Sequence, residues 1–154
     1  MVETQAGVTL VTNDVVEIAF SGKAVGNVDP RFPAEDLEAN RQKLLRTLGV
    51  GKYTVQVCQM GSEFIDLSDT ATKDIKPTYN TDGMFVNRTD VVLGLNPADC
   101  VAITMFDARH PSVIGLIHAG RQGVSGDIHL SALEHLTKAH RVPKEQVGMV
   151  FGPS

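Results

Sequence analysis

Tryptophan is missing from this chain, cysteine occurs only twice, and no apolar run reaches the ~18 residues of a membrane-spanning helix. Two thiols, Cys58 and Cys100, cannot build the disulfide framework of a small secreted domain. The expected compartment is therefore the cytoplasm, where a thiol serves as core filler, ligand or nucleophile. Basic residues are also scarce: 14 Lys and Arg stand against 18 Asp and Glu, and none cluster. A nucleic-acid partner, which needs a positive track for the phosphate backbone, is not expected. The opening "MVETQAGVTLVT" lacks the basic head and apolar run of a signal peptide, and a membrane partner is not expected either.

The 154 residues are enough for one domain with its own core, and residues 1–154 are read as a single domain. "GVTLVTND" and "VVEIAF" read as β-branched strands joined by an Asn-Asp turn, followed by a Gly- and Pro-rich loop, "GKAVGNVDPRF". "PAEDLEANRQKLLRTLG" carries helix signals: Pro33 near the first turn, Glu35 and Asp36 where the dipole favours acids, and Gly49 as a stop. "YTVQVCQM" alternates like a strand, and residues 66–82 read as a long polar loop. "VVLGL", "VAITMF" and "VIGLIH" are three further strands. "DIHLSALEHLTKAH" is an amphipathic helix with Ile128, Ala132, Leu136 and Ala139 inward, and "QVGMVFG" is a closing strand. Strands grouped together instead of alternating with helices predict an α+β fold of mixed, largely antiparallel sheets flanked by helices.

Chemistry concentrates between Asn96 and Gly123. "NPADC" ends on Cys100, and eighteen residues later "HAGRQG" opens on His118. If "VAITMF" and "VIGLIH" form a hairpin centred near Arg109, Cys100 faces His118, with Cα atoms ~4.5–5.5 Å apart. A slip of one residue would put the two side chains on opposite faces. A facing thiol and imidazole are two ligands of one metal, a nucleophile and its base, or a half-buried thiol beside a satisfied histidine. The Gly-rich stretch after His118, with Gly120 and Arg121, leads into a helix and suits an anion such as phosphate. Asp99 is a candidate orienter beside Cys100. The other histidines, His110, His129, His135 and His140, read as solvent-facing; His135 and His140 are five apart and do not share a helical face.

"TDGMFVNRTDVVLGLNPADCVAITMFDARHPSVIGLIHAGRQG" resembles the central block of the YfiH-type laccase-domain family, whose members carry ADC and then HAGWRG. "GNVDPRFPAEDLEANRQKLLRTLGV" is similar to that family's upstream block, including its Asn-Arg pair (Asn40 and Arg41), and "VGMVFGPS" to its GPSIG segment. The family was first called multicopper polyphenol oxidoreductases. The resemblance implies purine nucleoside phosphorylase activity, with adenosine deamination in some members, and a zinc held by His, Cys and His. Cys100 matches the Cys and His118 the second His. Nucleoside and phosphate are then the implied partners. Asn27, in "GN", matches a glycine-asparagine loop and is a candidate substrate contact.

Three departures stand out. The family's first ligand lies in a Q-x-H-G motif, and here that position falls on Gly61 or Met60, in "CQMGSEF". A Met–Cys–His set would suit copper(I) better than zinc, and Cys58 is another conceivable replacement. Arg121 and Gln122 stand where the family has Trp and Arg, which keeps a positive charge but removes an aromatic wall. The family pattern continues past GPSIG, whereas this sequence stops at Ser154. The expected protein is a shortened member with a variant metal site, forming a homo-oligomer or meeting a partner chain that covers an exposed sheet edge. Rival readings are a non-catalytic paralogue acting in binding or assembly, and a metal-free cysteine hydrolase using Cys100 and His118.

Overall fold

A computed structural model describes residues 1–5, 7–29, 32, 35–49, 53–56, 63–71 and 81–153. The chain forms two compact units, residues 1–52 and 53–154. In the first, three antiparallel strands run in order: β1 (Val2–Gln5), β2 (Val8–Thr12) and β3 (Glu17–Ser21). The sequence signals β2 and β3, while β1 has every residue exposed and therefore shows no alternation to read. Asn13 makes the predicted turn by accepting the backbone N–H groups of Val15 and Val16 at 2.8 Å. The predicted helix is α1 (Leu37–Thr47), and its Leu44 packs with Val8, Val25 and Val28. The Asn-Arg pair clamps the preceding loop: Asn40 donates to the Asn27 carbonyl at 3.0 Å and Arg41 to that of Val28 at 3.1 Å.

The second unit is built on a five-stranded sheet. Its strands are β5 (Phe64–Asp66), β6 (Gly83–Val86), β8 (Val101–Asp107), β9 (Ile114–Ala119) and β10 (Val147–Phe151), in the order β10-β8-β9-β6-β5. β4 (Tyr53–Gln56) and β7 (Val92–Leu95) form a separate parallel pair. All pairings in the five-stranded sheet are antiparallel except β5 with β6. Grouped strands with few helices make this the α+β architecture that the sequence predicts.

One sheet face carries Phe85, Ile103, Met105 and Ile117, and α3 (Ile128–Lys138) covers it with Ile128, Ala132 and Leu136, each fully buried. Burying three such side chains is worth several kcal/mol of transfer free energy, about 2 kcal/mol for each larger one. Ala139, expected on that stripe, is exposed because the helix has ended. The opposite face carries Met84, Val86 and Ile114, packed with Leu67 and Val91. The expected loop over 66–82 is partly a correction: its first residue closes strand β5, and residues 72–80 lie outside those described. β6 is buried at all four positions, so it lacks the alternation that betrays a half-buried strand. No helix among the described residues is long and apolar enough to cross a membrane.

The hairpin of β8 and β9 is set by Asp107. Its carboxylate accepts the N–H groups of Arg109 and His110, at 3.0 and 3.3 Å, and the hydroxyl of Ser112 at 3.1 Å. Burial pushes this carboxyl up, but the bonds from Arg109, Ser112 and His110 outweigh it, and its pKa is lowered. The turn centres on His110, so Phe106 pairs with Ile114 and Ala102 with His118. This corrects the expected register, in which Cys100 faced His118. The shift is two residues, and a two-residue shift keeps every side chain on its own face.

Candidate functional site

His118 lies near the end of β9, on the sheet face away from α3, and is buried. β6 continues its register backwards from Gly83, which pairs with Ile117, so Asp82 comes directly opposite His118. The His118 N–H donates to the Asp82 carbonyl at 2.7 Å. Their side chains meet as well: Nδ1 lies 2.9 Å from Asp82 Oδ1, with side-chain exposures of 9% and 2%. A carboxylate can only accept, so Nδ1 carries the hydrogen and Nε2 is left with a free lone pair. Asp82 is thus the orienting acid, a role the sequence assigned to Asp99. Its signal was present: an acid directly before the apolar run "GMFV" is buried with that run and needs a partner.

Cys100 precedes β8, half-buried, diagonal to His118 on the same face. The gap between the two groups is defined by Gly120. A methyl group there would stand 3.1 Å from His118 Nε2, 2.8 Å from its Cε1 and 3.4 Å from Cys100 Sγ. Thiol and imidazole therefore both lie against the one point where a residue-120 side chain would begin. Burial and the neighbouring Asp99 carboxylate push the Cys100 thiol up from its ordinary value, opposed by a bond from the Arg121 backbone N–H. Asp99 is exposed and accepts the thiol hydrogen at 3.6 Å; it does not touch the imidazole.

Gly120 caps α2 (Arg121–Ser125), the single helical turn into which the Gly-rich stretch folds. Arg121 is exposed at its start. Asn27 belongs to the first unit, and both ends of its amide are engaged in its own loop. Oδ1 accepts the Asp29 N–H at 2.9 Å, and Nδ2 donates to the carbonyls of Asp29 and Phe32. Gly61 and Met60, the positions aligned with the family's first ligand, lie outside the described residues, as does Cys58. Among the described residues, Cys100 and His118 supply two donors, whereas a resident catalytic zinc takes three protein ligands. His118 itself fits such a site, its second nitrogen being fixed by a buried carboxylate as metal-bound imidazoles require.

One group of three described side chains is close enough to share an ion, and it lies elsewhere. Asp66, His135 and His140 bring their donor atoms within 4.8 Å of one another. This corrects the solvent-facing reading of two histidines, whose side chains are 24% and 11% exposed. His135 borders the buried stripe, seven residues after Ile128. His140 escapes helical periodicity because α3 ends at Lys138 and Arg141 takes a left-handed φ of 59°. His110 is exposed as expected, and His129 is half-buried.

Comparison with known proteins follows the same lines. Residues 26–154 match the model of the family described as multi-copper polyphenol oxidoreductase laccase. Over 101 residues the chain is 33% identical to purine nucleoside phosphorylase Rv2149c of Mycobacterium tuberculosis, covering 62% of this chain and 38% of that protein. The chain thus spans well under half the length of this relative. Among solved structures it is similar to the hypothetical protein YfiH of Bacillus licheniformis, at TM-score 0.66 and 21% identity, over 77% of this chain and 46% of that one. It is also similar to protein NMB0706 of Neisseria meningitidis, at TM-score 0.66 and 18% identity, over 97% and 59%. Likenesses at that identity establish the fold, and the family match, which contains Cys100, His118 and Asp82 alike, establishes the kinship: the chain belongs to the multi-copper polyphenol oxidoreductase laccase family, the YfiH type.

Proposed function

We propose that the chain takes part in phosphorolysis of purine nucleosides, with adenosine and inosine as the first substrates to try, at the space bordered by Cys100, His118 and Gly120. The observation that carries this reading is the buried Asp82 that fixes His118 Nδ1 and aims Nε2 at the gap shared with the thiol. It is supported by relatives named purine nucleoside phosphorylase. In the reaction, the bond from C1′ to the purine nitrogen breaks and a bond from C1′ to a phosphate oxygen forms. The proton of hydrogenphosphate ends on the purine. With Nδ1–H held by Asp82, Nε2 offers a lone pair that can accept this proton and return it to the departing base. Arg121, exposed next to Gly120, supplies the charge that draws phosphate. α2 is a single turn, so the side-chain charge, not a helix dipole, carries that attraction. Asn27 stays outside the proposal because its amide is engaged in its own loop.

Zinc, or copper, would be held by Cys100 and His118 with a third donor from outside the described residues, and would supply Lewis acidity. No step is routed through it. Adenosine deamination needs a metal-bound hydroxide and is therefore a secondary expectation. The metal-free cysteine hydrolase would use Cys100 as nucleophile with His118 as base; burial and Asp99, which raise the thiol, work against it. We place the activity in the cytoplasm, on cysteine usage. The test is release of free base from inosine and adenosine, with and without phosphate, with ribose 1-phosphate identified as the co-product. Base release that depends on phosphate supports the reading; no release from either nucleoside favours a binding or assembly role.

A further inference from the structure

We propose a second metal site, formed by Asp66, His135 and His140 on the α3 side of the five-stranded sheet, for a divalent first-row ion of the zinc type. Both imidazoles place Nε2 at 2.7 Å from the same oxygen, Asp66 Oδ2. The other oxygen, Oδ1, is held by the Ser68 N–H at 2.9 Å, which fixes the carboxylate plane. Three elements thus aim donor atoms at one point: strand β5, the last turn of α3 and the reversal after it. Two neutral imidazoles and one carboxylate form a donor set suited to zinc and its neighbours; magnesium and calcium favour oxygen alone.

The surroundings favour binding as well. Phe64 and Phe85 place their ring centroids 5.0 and 4.8 Å from that of His135, walling the cluster from the core side. Side-chain exposures of 27%, 24% and 11% leave the opposite side open, so that water can complete the coordination. Zinc bonds of ~2.0 Å in tetrahedral array put ligands roughly 3.3 Å apart, so the 2.7 Å contacts need to open by about half an ångström. Side-chain rotation in a partly exposed cluster allows that. The ion takes the place of the two Nε2 hydrogens, and each ring then carries its hydrogen on Nδ1. An ion here ties β5, the outermost described strand of the sheet, to the end of the helix that covers it.

This site is independent of the phosphorolysis reading, because Asp66 and His118 lie on opposite faces of the sheet. The experiment uses the full chain carrying Cys100→Ala, so that the other cluster cannot contribute. Zinc chloride is titrated against a competing chromogenic chelator, and the histidine ring signals are followed by nuclear magnetic resonance. We expect one equivalent bound, with the His135 and His140 ring signals shifted. Adding Asp66→Asn or His140→Gln should weaken binding at least ~100-fold, while adding His129→Gln should leave it unchanged. The proposal is overturned if zinc leaves the His135 and His140 signals in place, a readout that needs no change in the triad. It is equally overturned if Asp66→Asn and His140→Gln bind as tightly as their parent, which would leave only a hydrogen-bonded helix end.

Discussion

Replacing Gly120 with Ala is a nearly pure steric probe of the site. The backbone there has φ −78° and ψ 167°, which alanine adopts without strain. The new methyl would sit 2.8 Å from His118 Cε1 and 3.1 Å from Nε2, against ordinary contacts beginning near 3.4 Å. The imidazole must therefore retreat by about 0.6 Å from Cε1 alone. Its retreat is opposed by the Asp82 bond and by full packing on the sheet. The stability cost should be about 1–2 kcal/mol, from crowding plus a weaker helix cap. That corresponds to a fall in Tm of about 2–8 °C, leaving a folded protein. The functional cost should be much larger. On the proposed function, the methyl displaces the imidazole from its place beside the thiol, and a misplacement approaching 1 Å can cost ~100-fold in rate. The assays are thermal unfolding, phosphate-dependent base release and alkylation of Cys100 located by mass spectrometry. Alkylation should slow as the methyl shields the sulfur. Unchanged turnover together with unchanged alkylation would refute the claim that thiol and imidazole border one space.

Three other outcomes follow from the same geometry. Asp82→Asn should keep the shape but let His118 adopt the wrong tautomer, cutting turnover by at least ~100-fold; nitrogen-15 spectra of the ring report the tautomer directly. Asp107→Asn should lower stability at neutral pH by about 1–2 kcal/mol in urea unfolding. Because the folded Asp107 pKa lies below its ordinary value of 3.8, its contribution is full above that value and lost as pH falls through the lowered one, so the difference between wild type and variant should shrink in acid. Finally, among the described residues β10 is paired on one side only and exposes Met149 and Phe151, so sedimentation should show a dimer or larger species that Phe151→Lys dissociates; a wild-type monomer at high concentration would count against a covered edge.

Alternation made β10 and periodicity both long helices legible, while β2, β3, β8 and β9 were legible as short β-branched or apolar runs bounded by turn residues; β8 and β9, covered on both faces, have no exposed position within the runs Val101–Phe106 and Ile114–Ala119. β5 has three residues and β6 is buried throughout, so neither offers a period to detect. The pairing of Cys100 with His118 was legible only to within two residues. The centre of the turn depends on which groups Asp107 captures, and composition does not encode that choice. Parity rescued the face. Asp82 was missed because its partner is 36 positions away and arrives through pairing of β6 with β9. His140 was misread by extending a helical wheel beyond the point where Arg141 turns the chain back.

The central claim is that Cys100 and His118 act as one unit across Gly120, and a double-mutant cycle on phosphate-dependent base release measures that directly. Cys100→Ala and His118→Ala should each abolish most activity, and the double variant should be hardly worse than either alone. Losses that simply multiply, or a single variant that keeps full turnover, would contradict it.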